Sequence, residues 1–245
     1  MKKFIGYIFL ISTNLLYAYE IPTISVLNLF YKKAKSSPIV YKSFNDESGV
    51  IKTTIRDNKI ENLIIKNINM FNNNIKGKIS QTKNFKIIDN ININNLWCGD
   101  TEVILKYILS IKSSESIDQK KYIDIPNYIL LGEITSFTNN TDIEVIQDTD
   151  KQSIQFNLDI NVSYNLISTK DVAILASFDV VGHGNETKIF NENSTNQKIN
   201  PNLSNLIKQL SDDLSDNVVN QINKHFTRTN KTYKLESVEN FMIYN

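Results

Sequence analysis

Nucleophilic or acid–base chemistry would depend first on histidine and cysteine, and the chain has two histidines and one cysteine. Cys98 lies in the motif WCGD at residues 97–100, with no histidine close to it in the sequence. A reactive thiolate needs a neighbouring base or a positive environment, and His183 is the remote candidate for that base. The pair defines a remote alternative, a cysteine-dependent hydrolase, while a buried structural thiol is the favoured interpretation of Cys98.

The two histidines have simpler interpretations than catalysis. His183 stands between Gly182 and Gly184, which could bring the backbone close to a ligand, although a flexible strand end is the favoured interpretation. His225 falls at the predicted end of the last helix, where a cation suits the helix dipole. Neither histidine is assigned a catalytic role.

Carboxylates cluster at Asp148 and Asp150, in a predicted turn, and at 212, 213 and 216, on the polar side of the last predicted helix. A calcium loop would need tighter alternation of carboxylates and a glycine, so a solvated surface is the favoured interpretation of both groups. The glycosylation-like triplets at Asn161 and Asn185 are expected by chance in an asparagine-rich chain.

With no P-loop, G-x-S-x-G or H-E-x-x-H motif present, the sequence predicts a protein that is not an enzyme, without catalytic, cofactor or metal sites. It identifies no partner-binding residues.

Composition excludes other classes of protein. Lys plus Arg is 27 and Asp plus Glu is 26, so the formal net charge of +1 lacks the basic excess of a nucleic-acid binder. A single cysteine cannot build an internal disulfide framework. A hydrophobic content of 41% is ordinary for a folded protein.

The amino terminus predicts export. Lys2 and Lys3 precede an apolar stretch, residues 4–16, and a small residue, Ala18, follows it. This is the pattern of a cleavable signal peptide, residues 1–18, and the stretch is shorter than the roughly 20 apolar residues of a membrane span. No cysteine follows it that could carry a lipid. We therefore expect a periplasmic protein that is not a lipoprotein and has no membrane span in its mature chain; an uncleaved amphipathic anchor is the alternative.

Periodicity predicts the elements that would position these residues. Strands are predicted over 23–30, 38–44, 50–56, 85–89, 128–137, 154–166 and 172–181, and helices over 58–80, from Asp100 to 111, and from Asn200 to about Phe226. The apolar stripes of the first and last helices predict that Phe71 and Leu210 are buried, with Asp213 on the opposite, solvated side. The sequence thus predicts a single α+β domain, 19–230, in which helices pack on a mixed sheet. A tail, 231–245, would follow, with an added strand as one interpretation of it.

The order of these elements resembles a group of envelope proteins. The segments that carry the resemblance are 23–30, 60–89, 125–137, 154–184 and 203–226, with the run YILLGEITSF at 128–137 as the most specific. In this order they are similar to the fold of LpoB-type activators of penicillin-binding proteins, with its anticodon-binding-like domain. The periplasmic domain of the curli secretion channel and the amino-terminal domain of TolB are similar too. The activators and the curli channel are lipoproteins, whereas this chain lacks a cysteine for lipid attachment.

The resemblance implies a function without catalysis. It implies a cell-envelope interaction protein that activates a peptidoglycan synthase, so the implied partner is an envelope protein such as a penicillin-binding protein. The sequence leaves the oligomeric state open, with a monomer favoured. The alternative it leaves open is a component of an outer-membrane secretion or surface-appendage assembly complex. No contact motif is carried over, because the match is one of strands and helices.

Overall fold

The computed structural model describes residues 20–32, 41–42, 51–54, 58–89, 91–113, 125–191 and 199–241. The strands are Thr23–Val26 (β1), Phe30–Tyr31 (β2), Tyr41–Lys42 (β3), Ile51–Thr54 (β4), Lys86–Ile87 (β5), Tyr128–Val145 (β6), Lys151–Ser168 (β7) and Ala173–Asn191 (β8). The helices are Asn58–Lys66 (α1), Ile68–Gln81 (α2), Ile91–Leu96 (α3), Thr101–Ser113 (α4) and Leu203–Phe241 (α5). The predicted signal peptide, 1–18, lies outside the described residues.

All eight strands belong to one mixed sheet, with β6 at its centre. On one side, β6 pairs in parallel with β1 and β2 and antiparallel with β4. Farther out, β5 pairs with β1, and β3 pairs with β4. The other side of β6 pairs along its length with β7, which pairs in turn with β8. Helices pack on this sheet, which confirms the predicted α+β class.

The three long strands extend beyond the predicted ranges. β6 and β7 have 18 residues each and β8 has 19. The added residues include few apolar ones, so alternation of apolar side chains does not reveal them. They stay extended because each strand has a hydrogen-bonding neighbour along its whole length.

Helices α2 and α5 cover one face of the sheet. Phe71 of α2 and Leu210 of α5 are fully buried there, as their stripes predict. The inward residues of β7 pack against the same helices, and together they form the larger of two cores. The predicted helix over 58–80 is in fact two helices, because the Asn67 side chain donates to the Leu63 carbonyl oxygen at 2.7 Å and competes with the backbone for it.

Helices α3 and α4 cover part of the opposite face. The smaller core lies between them and the sheet, and its buried residues are Leu27, Ile93, Ile104, Ile108, Ile129, Leu131 and Ile167. Asp100 caps α4 as predicted, since its Oδ1 accepts a hydrogen bond from the Glu102 amide at 2.9 Å. α3 is missing from the sequence prediction because its asparagine-rich sequence has no apolar stripe.

The last helix is longer than the sequence indicates. The sequence predicts that this helix ends near Phe226 and suggests an added strand within 231–245. In the structure the backbone stays helical to Phe241. Phe226 packs edge-on against Phe85 and Tyr128, with ring centroids 4.9 and 5.1 Å apart. The apolar stripe therefore ends at Phe226, although the helix continues. No helix in the described ranges is long and apolar enough to cross a membrane.

Tyr164 on β7 is the largest fully buried side chain of the larger core. It stacks on Phe178 at 5.6 Å, and within the described residues its hydroxyl has no hydrogen-bond partner. Burial raises the pKa of Tyr164, because the charged phenolate cannot be solvated there.

We expect Tyr164→Phe to fold normally and to be more stable than the wild type by about 1–3 kcal/mol, since it removes a buried, unpaired hydroxyl. Above pH ~10 the unfolded phenol ionises and the folded one does not, so the wild type should lose about 1.4 kcal/mol per pH unit from this group. Urea unfolding of both proteins at pH 7, 9 and 11 measures the difference. Equal pH dependence in the two proteins would contradict the assigned burial.

Candidate functional site

The face of the β6–β7–β8 sheet that points away from α2 and α5 is polar. We define this polar face as the outward positions of β7 from Ser153 to Asn165 together with their paired positions on β6 and β8, except Leu131, which pairs with Asn165 but belongs to the smaller core. The register brings together Glu133, Ser136, Thr138, Asn140, Asp142 and Glu144 of β6; Ser153, Gln155, Asn157, Asp159, Asn161, Ser163 and Asn165 of β7; and Ser177, Asp179, Val181, His183, Asn185, Thr187 and Ile189 of β8.

A line of hydrogen bonds crosses the centre of the polar face. The Thr138 hydroxyl donates to Asp159 Oδ2 at 3.2 Å, and Asp159 Oδ1 lies 2.9 Å from His183 Nδ1. Asp159 and His183 face each other in the register, while the His183 amide points to the outer edge of β8. The side chain of His183 is 58% exposed and that of Asp159 is 29% exposed, so both can be reached from solvent.

Further pairs fix the side chains on both sides of this line. Ser163 donates to Asp179, and Asn161 donates to Ser136 at 2.9 Å. Asn157 donates to Asp142 at 3.2 Å. Because most polar groups here already have a neighbour on the next strand, the face presents an ordered array of donors and acceptors.

The polar face is acidic. Its carboxylates are Glu133, Asp142, Glu144, Asp159 and Asp179, and neither lysine nor arginine occupies any position in it. His183 is its one residue that can become cationic. Lys52 of β4 pairs in register with Asp142 at the margin of the polar face, whereas Asp159 and Asp179 lie on β7 and β8, away from that edge.

At the β1 end, helix α4 limits the polar face. Asn165 donates to the Thr101 hydroxyl at 3.2 Å, where the helix begins. Beyond this contact, the outward residues of β8 at positions 177, 179, 183, 185 and 187 are exposed. In the part of the chain that the structure describes, no helix covers the remainder of the polar face.

The structure separates the two residues of the hydrolase alternative by element. Cys98 is exposed in the connection between α3 and α4, so the prediction of a buried thiol is wrong. His183 lies in the middle of β8, where Asp159 contacts its ring, and it is not at a flexible strand end. Among the described residues, no hydrogen bond joins the Cys98 thiol to the His183 imidazole.

His225 does not end a helix, because α5 continues past it. Its ring packs edge-on against Phe226 with centroids 5.5 Å apart. The favourable interaction with a helix carboxyl terminus, which the sequence suggests, therefore does not apply at this position.

The predicted acidic groups divide into a solvated pair and a structural set. Asp148 and Asp150 are exposed in the β6–β7 turn, where Asp148 has a φ of 60°. The helical set is engaged by neighbouring elements: Asp212 accepts from Asn74, Asp216 lies 2.7 Å from Lys78 Nζ, and Asp213 accepts from the His183 amide. The prediction that Asp213 faces only solvent is wrong, because β8 runs along that side of α5.

The ion pair between Asp216 of α5 and Lys78 of α2 changes the pKa of the lysine. Its hydrogen bond to Asp216 raises the pKa of Lys78, and nearby negative charge adds to the effect. Among the described residues, no group of three or more histidine, cysteine, aspartate or glutamate side chains is placed to hold a metal ion.

No protein-family model matches the chain, and no curated protein matches it. Solved structures match it at low identity. A neuraminyllactose-binding hemagglutinin homolog from Helicobacter pylori is 9% identical, with a TM-score of 0.44, over 87% of this chain and 92% of that one. A lipoprotein from Neisseria meningitidis is 12% identical, with a TM-score of 0.30, over 83% of this chain and 99% of that one. A protein from Chlamydia trachomatis is 11% identical, with a TM-score of 0.27, over 66% and 72%.

Proposed function

We propose that this protein is a non-catalytic interaction protein of the bacterial cell envelope, resembling the activators of penicillin-binding proteins, and that it binds its partner through the polar face. The observation that carries the proposal is the polar face itself, an ordered and accessible surface across three long strands. The predicted signal peptide, 1–18, places the mature protein in the periplasm under this proposal.

The dimensions of the polar face suit a transient protein interface. The 13 positions from 153 to 165 span roughly 43 Å at about 3.3 Å per residue, and three strands at about 4.8 Å spacing are roughly 14 Å wide. The resulting area of about 600 Å² lies below the roughly 800 Å² per partner of a standard stable interface. Weak and transient complexes bury interfaces of this smaller class, which suits a regulator that binds and releases an envelope enzyme.

The ordered side chains favour binding by this surface. Side chains that are already paired across strands, such as Thr138 with Asp159 and Ser136 with Asn161, lose little conformational entropy when a partner covers them. The carboxylates select a partner surface that carries lysine or arginine, since like charges placed opposite each other cost several kcal/mol. The proposed partner is therefore an envelope protein with a basic docking surface.

The experiment is recovery of the partner from chemically crosslinked periplasm, with wild type and two charge variants as bait. Asp159→Asn/Asp179→Asn removes two charges from the polar face and keeps side chains that can hydrogen bond. We expect it to lower recovery roughly 2- to 30-fold, from about 0.2–1 kcal/mol for each exposed ion pair lost. The wild-type interaction should also weaken more steeply with salt than that of the variant.

The matched control is Asp148→Asn/Asp150→Asn, which makes the same charge change in the exposed β6–β7 turn. Asparagine tolerates the positive φ of position 148, so the turn should be kept. Equal recovery with all three baits would exclude the polar face as the docking surface. Recovery of a secretion or appendage component would select the alternative over a peptidoglycan synthase.

A further inference from the structure

The outer edge of β8 is a potential pairing site, because β8 pairs only with β7 among the described strands. The edge strand of a sheet presents unpaired amides and carbonyls that can template another strand. At positions 181, 183 and 185 these backbone groups point away from β7, as their hydrogen bonds to α5 show. The centre of an edge strand of 19 residues would be a long template if it were left open.

Three polar side chains of α5 occupy this part of the edge. The His183 amide donates to Asp213 Oδ2 at 2.9 Å, and the Asn185 amide donates to Gln209 Oε1 at 3.0 Å. Asn217 Nδ2 donates to the Val181 carbonyl oxygen at 3.0 Å. We call Gln209, Asp213 and Asn217 the capping row.

The spacing of the capping row matches the strand. Its members are four residues apart, which is about 6.0 Å along a helix, while every second residue of a strand is about 6.6 Å apart. The helix runs antiparallel to β8, so the order 209, 213, 217 meets 185, 183, 181. A helix can thus supply one side chain for each outward backbone position over this length.

The two glycines of the GHG motif permit this approach. A Cβ on Gly182 would lie 2.8 Å from Leu214 Cβ and 2.9 Å from the Leu210 carbonyl oxygen. A Cβ on Gly184 would overlap the carbonyl oxygen of Leu206. The glycines bring α5 close enough for the capping row to reach the edge of β8.

We propose that the capping row takes the place of a ninth strand and prevents β8 from pairing with β8 of a second copy of this chain. A second copy is the occupant that the edge fits, because an antiparallel strand pair centred on His183 presents the same backbone groups from both chains around a twofold axis. The capping row already binds three of these groups, the amides of His183 and Asn185 and the carbonyl oxygen of Val181, so the wild type remains unpaired at this edge.

The test is the molar mass of Gln209→Ala/Asp213→Ala/Asn217→Ala by light scattering after gel filtration, across a range of concentrations. We expect a twofold increase in mass relative to the wild type. Adding His183→Pro to the triple variant removes a donor from the edge and should restore the wild-type mass. The matched control, Ser204→Ala/Lys208→Ala/Asn220→Ala, changes exposed positions of the same helix and should leave the mass unchanged.

A folded triple variant that keeps the wild-type mass at every concentration would overturn the proposal. If the triple variant fails to fold, amide hydrogen exchange in the wild type decides instead. The amides of His183 and Asn185 should exchange at least tenfold more slowly than that of Asp179, which lies on the same edge beyond the capping row. Equal rates at the three positions would show that the row does not close the edge.

Discussion

Replacing Leu210 with alanine is expected to lower the free energy of unfolding by about 2–5 kcal/mol, a large share of the 5–15 kcal/mol typical of a domain. Leu210 is fully buried between α5 and the sheet. Its truncation would remove apolar contacts and leave a cavity in the close-packed larger core. Urea unfolding followed by circular dichroism measures the change.

Lys208→Ala is the matched control for this prediction, because Lys208 is exposed on the same helix two residues away. Its effect should stay within about 0.5 kcal/mol. A Leu210→Ala variant as stable as the Lys208→Ala variant would mean that α5 does not dock on the sheet with this face.

Replacing Gly184 with alanine is expected to cost about 3 kcal/mol, in the upper part of the usual range for overpacking. The added methyl group would meet the backbone of Leu206, which cannot move aside as a flexible side chain can. The helix would have to move away from β8, and the bond from the Asn185 amide to Gln209 would lengthen. Denaturant unfolding and the exchange rate of that amide report the two effects separately.

Gly77→Ala tests whether the cost comes from close packing rather than from loss of a glycine. Gly77 lies within α2 and a Cβ there would meet nothing within 4 Å. Alanine is favoured over glycine in a helix by about 0.5–1 kcal/mol, so this variant should be more stable than the wild type. A Gly184→Ala variant that is stabilised, as Gly77→Ala should be, would refute the close approach of α5 to β8.

Elements whose apolar residues repeat at a regular interval are predictable from this sequence. Phe71 and Leu210 belong to stripes of helical period, and burial of each stripe against the sheet decides both the element and its inward face. The alternation from Ile154 to Leu166 identifies β7 for the same reason. In these segments the local pattern and the tertiary packing favour the same structure.

The remaining features depend on contacts between distant segments. Asp213 belongs to the polar side of α5 by its spacing, yet β8 lies beside that side and supplies the His183 amide. The glycines of the GHG motif suggest flexibility when read alone, whereas here they admit a helix against a strand. Local periodicity predicts neither of these contacts, because each depends on which element packs beside the residue.

The sequence alone predicts only part of the polar face. Alternate polar residues from Ser153 to Asn165 indicate that one side of β7 is not in the core. Which carboxylates and hydroxyls of β6 and β8 join them depends on the strand register, including the shift between Ile134 and Ser136. A pattern along one strand cannot fix that register. The hydrogen bonds that join Thr138, Asp159 and His183 can therefore be identified only from the assembled sheet.

Site-specific photocrosslinking in the periplasm tests most directly whether the polar face binds an envelope partner. A photoreactive residue replaces Asn161, at the centre of the polar face, or Asn220, on the exposed side of α5. We predict a discrete adduct with one envelope protein from position 161 and none from position 220, with the adduct reduced by Asp159→Asn/Asp179→Asn. Adducts of equal yield from both positions, or none from position 161 in a correctly exported protein, would contradict the account.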